Sequence, residues 1–481
     1  MSVIRARRAA RAAVLAPLVL AAVLLLALVP ARAGAGGAPR FVFLFIGDGM
    51  GVAQRMAAAR WKGAPLTMDG FPVHGLTTTA AADGSVTDSA AAATALATGV
   101  RTLPGRLGLG PDLRPRPTVA ELARDRGMRV GIVTSVSVDH ATPAGFYAHV
   151  PERGMYHEVA HALAASGFDY FAGGGLRDPR GEASPRPQGD ALERARAGGL
   201  ALAAGRQALE ALRPGQRALA VGDRLCDGQA LPYALDATAR DVTLAEFTAR
   251  GIALLDNPRG FFMMVEGGRI DWACHGNDAA AALADVVAFD AAVAVAARFA
   301  AARPGQALVL VTADHECGGL VLVPPDARSA AFLDILRRQG MSLQRFVAGL
   351  ARGPEGGRFE ELAPRLAGLF GLETPAALGL EPEELEALRA AWAKPRPGPG
   401  PGRAEGDPLA VALGRLLGRK AGLEWTSRGH TGVPVSTSAL GAGQERFAGS
   451  FDNGELGRRI QEVMGLAPAA APAALALPAA P

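Results

Sequence analysis

The stretch Phe41-Val42-Phe43-Leu44-Phe45-Ile46, followed at once by Gly47-Asp48-Gly49-Met50-Gly51, decides how this chain folds. Six apolar residues in a row, half of them aromatic and stopped by a glycine, are the pattern of a strand buried on both faces of a parallel sheet. Runs of the same kind recur at residues 130–133, 261–265 and 308–311, with helical stretches at 118–126, Tyr156–Ala165 and Leu244–Leu255. Strands alternating with helices predict an α/β fold, a three-layer sandwich around a mostly parallel central sheet. In such sheets ligands bind beyond the carboxyl ends of the strands, so the polar residues just after these runs are where chemistry is expected.

The rest of the composition fits one large core. The chain has 481 residues, 49% hydrophobic and 20% charged, which excludes general disorder and a disulfide-stapled mini-protein. A formal charge of +4 invites a nucleic-acid reading, but five of the 50 Lys+Arg (Arg5, Arg7, Arg8, Arg11 and Arg32) lie in the first 33 residues, where there is no acid. The remainder is balanced at about −1, and no nucleic-acid surface is expected. That leading segment has a basic start, an apolar run at 12–29 and the sequence Pro30-Ala31-Arg32-Ala33, which predicts a cleaved secretory signal and a periplasmic or secreted product. No later apolar run is read as spanning a membrane, and the Arg7-Arg8 pair leaves the export route open. The three cysteines, Cys226, Cys274 and Cys317, allow at most one internal disulfide and are read as buried thiols.

The domain plan is a signal at 1–33, a catalytic domain at 34–466, and an Ala/Pro/Leu tail at 467–481 that is expected to stay disordered. Residues 178–205 read as a surface excursion. Residues 326–425, with a Pro/Gly tract at 395–402, read as an insertion that caps or borders the site.

The strand ends carry the candidate chemistry. Asp48 between glycines suits a cation better than a pyrophosphate. Thr312-Ala313-Asp314-His315-Glu316 places oxygen and nitrogen donors that suit zinc at the end of a strand, although the stretch alone also reads as a surface loop. Asp271 and His275 are four apart, which is metal-ligand spacing on one helix face. His430 stands between Gly429 and Thr431-Gly432 with no packing purpose. In Thr87-Asp88-Ser89, either Asp88 or Ser89 is a simple helix cap; a serine there is also where a phosphate would bind and where a metal-activated nucleophile would sit. His149, His157 and His161 read as structural, and His74 has no case for function.

Six motifs in order, GDGMG, TDSAAAATA, HATPAGFYAHVPER, VEGGRIDWACH, TADHE and GHTG, resemble the alkaline phosphatase family over residues 40–464, the insertion excepted. The resemblance implies hydrolysis of phosphate monoesters, with inorganic phosphate as product, through a phosphoserine on Ser89. It implies a first zinc on Asp271, His275 and His430 and a second on Asp48, Asp314 and His315. A third ion, magnesium, would be shared by Asp48 with Thr142 and Glu266, and Arg153 would clamp two phosphoryl oxygens. His140 and Trp272 depart from some members beside the third site, which puts magnesium in question. Arg269 is expected to pair with a site carboxylate. A homodimer is compatible with the family. The competing readings are a phosphodiesterase or phosphonate hydrolase on the same scaffold, and a non-catalytic metal-binding exported protein.

Overall fold

The computed structural model describes residues 37–323, 333–350, 359–372, 379–397 and 403–466. The signal and tail readings at 1–33 and 467–481 lie outside them. All described residues except Gly37 belong to the unit that begins at Ala38.

In chain order the strands are β1 (Phe41–Ile46), β2 (Val73–Thr78), β3 (Arg129–Thr134), β4 (Tyr170–Gly173), β5 (Ala201–Ala204), β6 (Ala218–Val221), β7 (Phe261–Glu266), β8 (Ala307–Thr312), β9 (Glu316–Cys317), β10 (Leu320–Leu322), β11 (Leu423–Trp425), β12 (His430–Thr431), β13 (Val435–Gly441) and β14 (Gly449–Asp452). Ten of them form one sheet in the order β14-β2-β13-β8-β1-β7-β3-β4-β6-β5. Only β13 runs antiparallel, between β2 and β8. The four strands read from the sequence, β1, β3, β7 and β8, lie side by side at its centre in matched register.

The alternation along β1 shows why the run is apolar throughout. Phe41, Phe43 and Phe45 enter one core, with the helices Val52–Lys62, Leu244–Leu255 and Ala279–Ala301; Val42, Leu44 and Ile46 enter the other, with Ser89–Thr98, Val119–Asp125 and Asn453–Val463. Helices therefore cover both faces, giving the three-layer α/β sandwich. Phe41, Phe43, Phe261 and Phe299 pack edge-on or tilted at 5.1–5.6 Å between centroids. Truncating such a buried ring costs about 3–5 kcal/mol.

Three expectations need correction. Residues 178–205 are not wholly a surface excursion: they contain the helix Ala191–Ala197 and β5, which pairs with β6 as the sheet's edge. Small alanines make that strand short and only partly buried, so its hydrophobic signal is weak. The helix Ala279–Ala301 is long and apolar enough to cross a membrane by length and composition, contrary to the reading that no such run follows the leader; most of it is buried inside the core. Cys226 is only partly buried, while Cys274 and Cys317 are buried, and all three thiols are free. Within 326–425 the described residues form helices from Leu343–Leu350 to Pro408–Lys420, of which Leu409, Leu413 and Leu417 join the first core.

Candidate active site

Asp48 follows β1 in a turn that glycine makes possible: Gly49 has φ +72°, and a Cβ there would meet the Asp271 backbone at 2.8 Å. This close approach brings the ends of β1 and β7 onto one site. Gly49 N donates to Asp314 Oδ1 at 3.1 Å, and Thr142 Oγ1 donates to Asp48 Oδ2 at 3.4 Å. Glu266 is the last residue of β7, and it accepts a hydrogen bond from Thr134 Oγ1. His140 begins the short helix Ala141–Ala144, with its Nδ1 3.6 Å from Glu266 Oε1.

Asp271 and His275 share one face of the helix Arg269–His275, with His275 Nε2 3.2 Å from Asp271 Oδ2. His430 comes from β12, whose two-residue ladder with β9 carries it to the same place, Nε2 3.6 Å from Asp271 Oδ1. His315 Nε2 lies 3.2 Å from Asp314 Oδ2 and 3.5 Å from Asp48 Oδ1. The His315 and His430 rings stack at 3.5 Å.

Electrostatics mark this cluster as short of positive charge. Asp48, Asp314 and Glu266 are fully buried, and Asp48 Oδ1, Glu266 Oε1, Asp271 Oδ1 and Asp314 Oδ2 have no hydrogen-bond donor. Burial, then the neighbouring carboxylates Asp314, Asp271 and Glu266, pushes Asp48 well above the ordinary carboxylate range. Burial and Asp271 push Asp314 up to about 8. Like charges in a dry pocket cannot all ionise unless a cation joins them. Asp271 itself is held low: burial opposes this, but His275, His430 and His315 outweigh it. The histidines point the same way. His275 Nδ1 donates to the Arg428 carbonyl at 2.6 Å and His430 Nδ1 to the Thr87 carbonyl at 3.0 Å. With Nδ1 committed as donor, Nε2 of each ring is turned towards Asp271, where a cation fits in place of a proton. Three groups of donors lie within 4.8 Å of one another: Asp271, His275, Cys317 and His430; Asp48, Asp271 and His315; Asp48, His140 and Glu266.

Beside this cluster stand a helix start and a guanidinium, groups that suit an anion. Asp88, not Ser89, caps the helix Ser89–Thr98, accepting from Ala91 N at 3.0 Å. Ser89 is its first residue, buried, with Oγ 3.3 Å from His315 Nε2. Asp88 also accepts from Arg153 Nη1 at 3.0 Å, and Arg153 Nη2 lies 3.3 Å from His140 Nε2. Arg153 and His140 line a cleft of about 210 Å³ with Tyr156, Trp272, Gln344 and Glu405, the last two from the insertion.

The structure thus brings together Asp48, Ser89, His140, Thr142, Arg153, Glu266, Asp271, His275, Asp314, His315 and His430. Arg269 does not pair with a site carboxylate. Its buried guanidinium lies 3.5 Å over Tyr233 and 5.1 Å from Trp272, and Nη2 donates to Gln344 at 3.0 Å. Aromatic faces stand where a carboxylate was expected, and Nε and Nη1 have no hydrogen-bond acceptor. Two neighbours escaped the sequence reading: Asp88 as the anchor of Arg153, and Cys317 beside the first donor group. The adjacency Asp88-Ser89 was the available signal for one, and the TADHEC context for the other. His149, His157, His161 and His74 hydrogen-bond to Glu121, backbone atoms and Ser438 outside this cluster.

A family model described as alkaline phosphatase matches residues 40–173 and 186–341. Alkaline phosphatase 4 of Bacillus subtilis is 29% identical over 88% of this chain and 88% of its own length. Streptomycin-6-phosphate phosphatase of Streptomyces griseus is 37% identical over 64% of this chain and 81% of its own. The alkaline phosphatase of Thermus thermophilus superposes with a TM-score of 0.76 at 27% identity, covering 90% of this chain and 92% of that one. The cold-active enzyme of Shewanella sp. gives 0.74 at 28%, covering 88% and 99%.

Proposed function

From its membership of the alkaline phosphatase family, to which this chain belongs as a phosphatase acting on phosphate monoesters, we propose that it is an exported zinc enzyme working through a phosphoserine on Ser89. Asp271, His275 and His430 would hold a first zinc and Asp48, Asp314 and His315 a second. Asp48, Thr142 and Glu266 would hold a third ion, magnesium. The observation that carries this reading is the pair of histidines fixed at Nδ1 by main-chain carbonyls with Nε2 turned to the two oxygens of a buried Asp271, His275 to Oδ2 and His430 to the donor-less Oδ1.

When bound, the ions supply Lewis acidity, lowering the serine pKa and offsetting charge on the attacking and departing oxygens. The chain's own groups do the rest. Ser89 Oγ attacks phosphorus, its proton passing to solvent, and the ester P–O bond breaks to release the alcohol. The N–H groups at the start of Ser89–Thr98 and the guanidinium of Arg153, held in place by Asp88, bind the equatorial oxygens, which gain charge in a loose transition state. Water then cleaves the P–Oγ bond and restores the serine. The paired donors of Arg153 favour a dianionic monoester over a diester. A second reading concerns the third ion only. His140 Nδ1, 3.6 Å from Glu266 Oε1, adds a nitrogen donor, and that set suits zinc as well as magnesium. Residues 1–33 would direct export to the periplasm or the medium.

The test is phosphate release from a chromogenic monoester at alkaline pH, with and without chelator, beside a diester. Chelation abolishes activity and zinc alone restores most of it. Recovery with magnesium alone, full activity in Ser89→Ala, or a preference for the diester would each overturn the proposal.

A further inference from the structure

We propose that the thiol of Cys317 is a fourth protein donor to the ion held by Asp271, His275 and His430, so that this centre is a one-sulfur, two-imidazole, one-carboxylate site. The inference rests on the reading of those three residues as metal ligands. Cys317 sits in β9, where the antiparallel ladder pairs it directly with His430 of β12. Residues opposite one another on such a ladder project to the same face, so the strand that delivers the imidazole also delivers the sulfur. The geometry agrees: Cys317 Sγ, a carboxylate oxygen of Asp271 and ring nitrogens of His275 and His430 all lie within 4.8 Å of one another.

The second observation is at Asp271. Its Oδ1 is buried without a hydrogen-bond donor, on a side chain only 6% exposed, and lies 3.6 Å from His430 Nε2. The thiol has no strong competing partner. Among the described residues its one hydrogen bond goes to the Asp271 carbonyl oxygen at 3.8 Å, near the outer limit for a thiol donor. Cys274, on the adjacent helix, differs: its sulfur accepts from Gln54 Nε2 at 3.9 Å and is absent from the donor group.

Four donors of these types suit zinc, which can expand to five-coordinate, so a substrate oxygen would still have a place on the ion. On binding, the S–H bond breaks, the proton leaves to buffer and the sulfur electron pair forms the bond to the ion. Two anionic donors then balance the dication. The soft sulfur biases the site towards zinc and away from magnesium, which prefers oxygen.

The full-length protein, stripped with chelator and titrated with cobalt(II), tests this by optical absorption. The expected result is a near-ultraviolet sulfur-to-cobalt charge-transfer band that is lost in Cys317→Ala and kept in Cys274→Ala. Zinc retention against a competing chelator should also fall about tenfold or more in Cys317→Ser. Visible cobalt bands without the charge-transfer band in the unmodified protein, or a band that survives Cys317→Ala, overturn the thiol ligand while leaving the three-residue site intact. No cobalt spectrum at all overturns both.

Discussion

On the Arg153 wall of the cleft the charged groups answer one another within the chain: Asp88 takes hydrogen bonds from Arg153, from Gly105 N and from Ala91 N. On the adjoining wall, formed by the buried donor cluster, Asp48, Glu266, Asp271 and Asp314 each keep a buried oxygen with no donor. The first wall is complete as protein, ready to meet an anion from outside. The second lacks the positive charge that cations would supply, and on the proposed reading its stability and its chemistry are tied to metal. The two walls should fail in different ways when damaged.

The largest effect is expected on the metal wall. Asp48→Asn, which removes a carboxylate placed between two donor groups, should lower kcat by about 10³-fold or more together with a loss of bound metal by elemental analysis. Damage to the other wall is milder and of another kind. Arg153→Ala should cost about 10–100-fold in kcat/KM for a monoester, the value of a charged hydrogen-bonding fork, with metal content unchanged. Loss of metal in that variant would erase the distinction between the walls.

Stability against pH sharpens the contrast further. In metal-stripped protein Asp314 is raised to about 8 and Asp48 is raised as well. The folded state then holds protons that the unfolded chain has released, so this contribution is present at low pH and lost as pH rises through about 8. His275, raised to about 9 because Asp271 outweighs the effect of burial, loses its contribution in the same direction. The gap in melting temperature between zinc-loaded and stripped protein should accordingly widen from about pH 5.5 to about pH 8.5. A gap independent of pH would contradict the picture of a cation-deficient wall.

The last effect lies away from both walls. Asp285 is buried in the helix Ala279–Ala301, accepts from Ala234 N at 3.1 Å, and is pushed by burial up to about 7. Its contribution is likewise lost as pH rises through about 7. Asp285→Asn should stabilise the zinc-loaded protein by an amount that grows from about pH 4 to about pH 7, so that its gain in unfolding free energy is about 2–3 kcal/mol larger at about pH 7.5 than at about pH 5 in denaturant titrations.

The sequence discloses the centre of this molecule better than its edges, for a physical reason. Strands buried on both faces, such as β1 and β7, need unbroken apolar residues, and that run is visible in one dimension. β5, built from Ala201-Leu202-Ala203-Ala204 and exposed along one side, needs no such run. The polar residues at strand ends were legible because Asp48, Glu266 and Asp314 follow recognisable strands. Arg269 was misread because sequence shows its acidic neighbours and not Tyr233, which is distant in the chain and arrives at its face only in the fold. Cys317 was passed over for the same reason, since its partner across β9 and β12 lies more than a hundred residues downstream.

The position of β12 and β13 has a bearing on how the protein is made. His430 lies on the ladder immediately before β13, the strand that fills the place between β2 and β8. A nascent chain released before about residue 430 would lack the last imidazole together with β13 and β14, the two strands that flank β2 in the sheet. Incomplete products would, on the proposed reading, be inactive, and they would leave β2 and one edge of β8 unpaired, the feature that marks a polypeptide for aggregation or proteolysis. Phosphatase activity on this scaffold is a late event of synthesis, and it certifies that the sheet has closed.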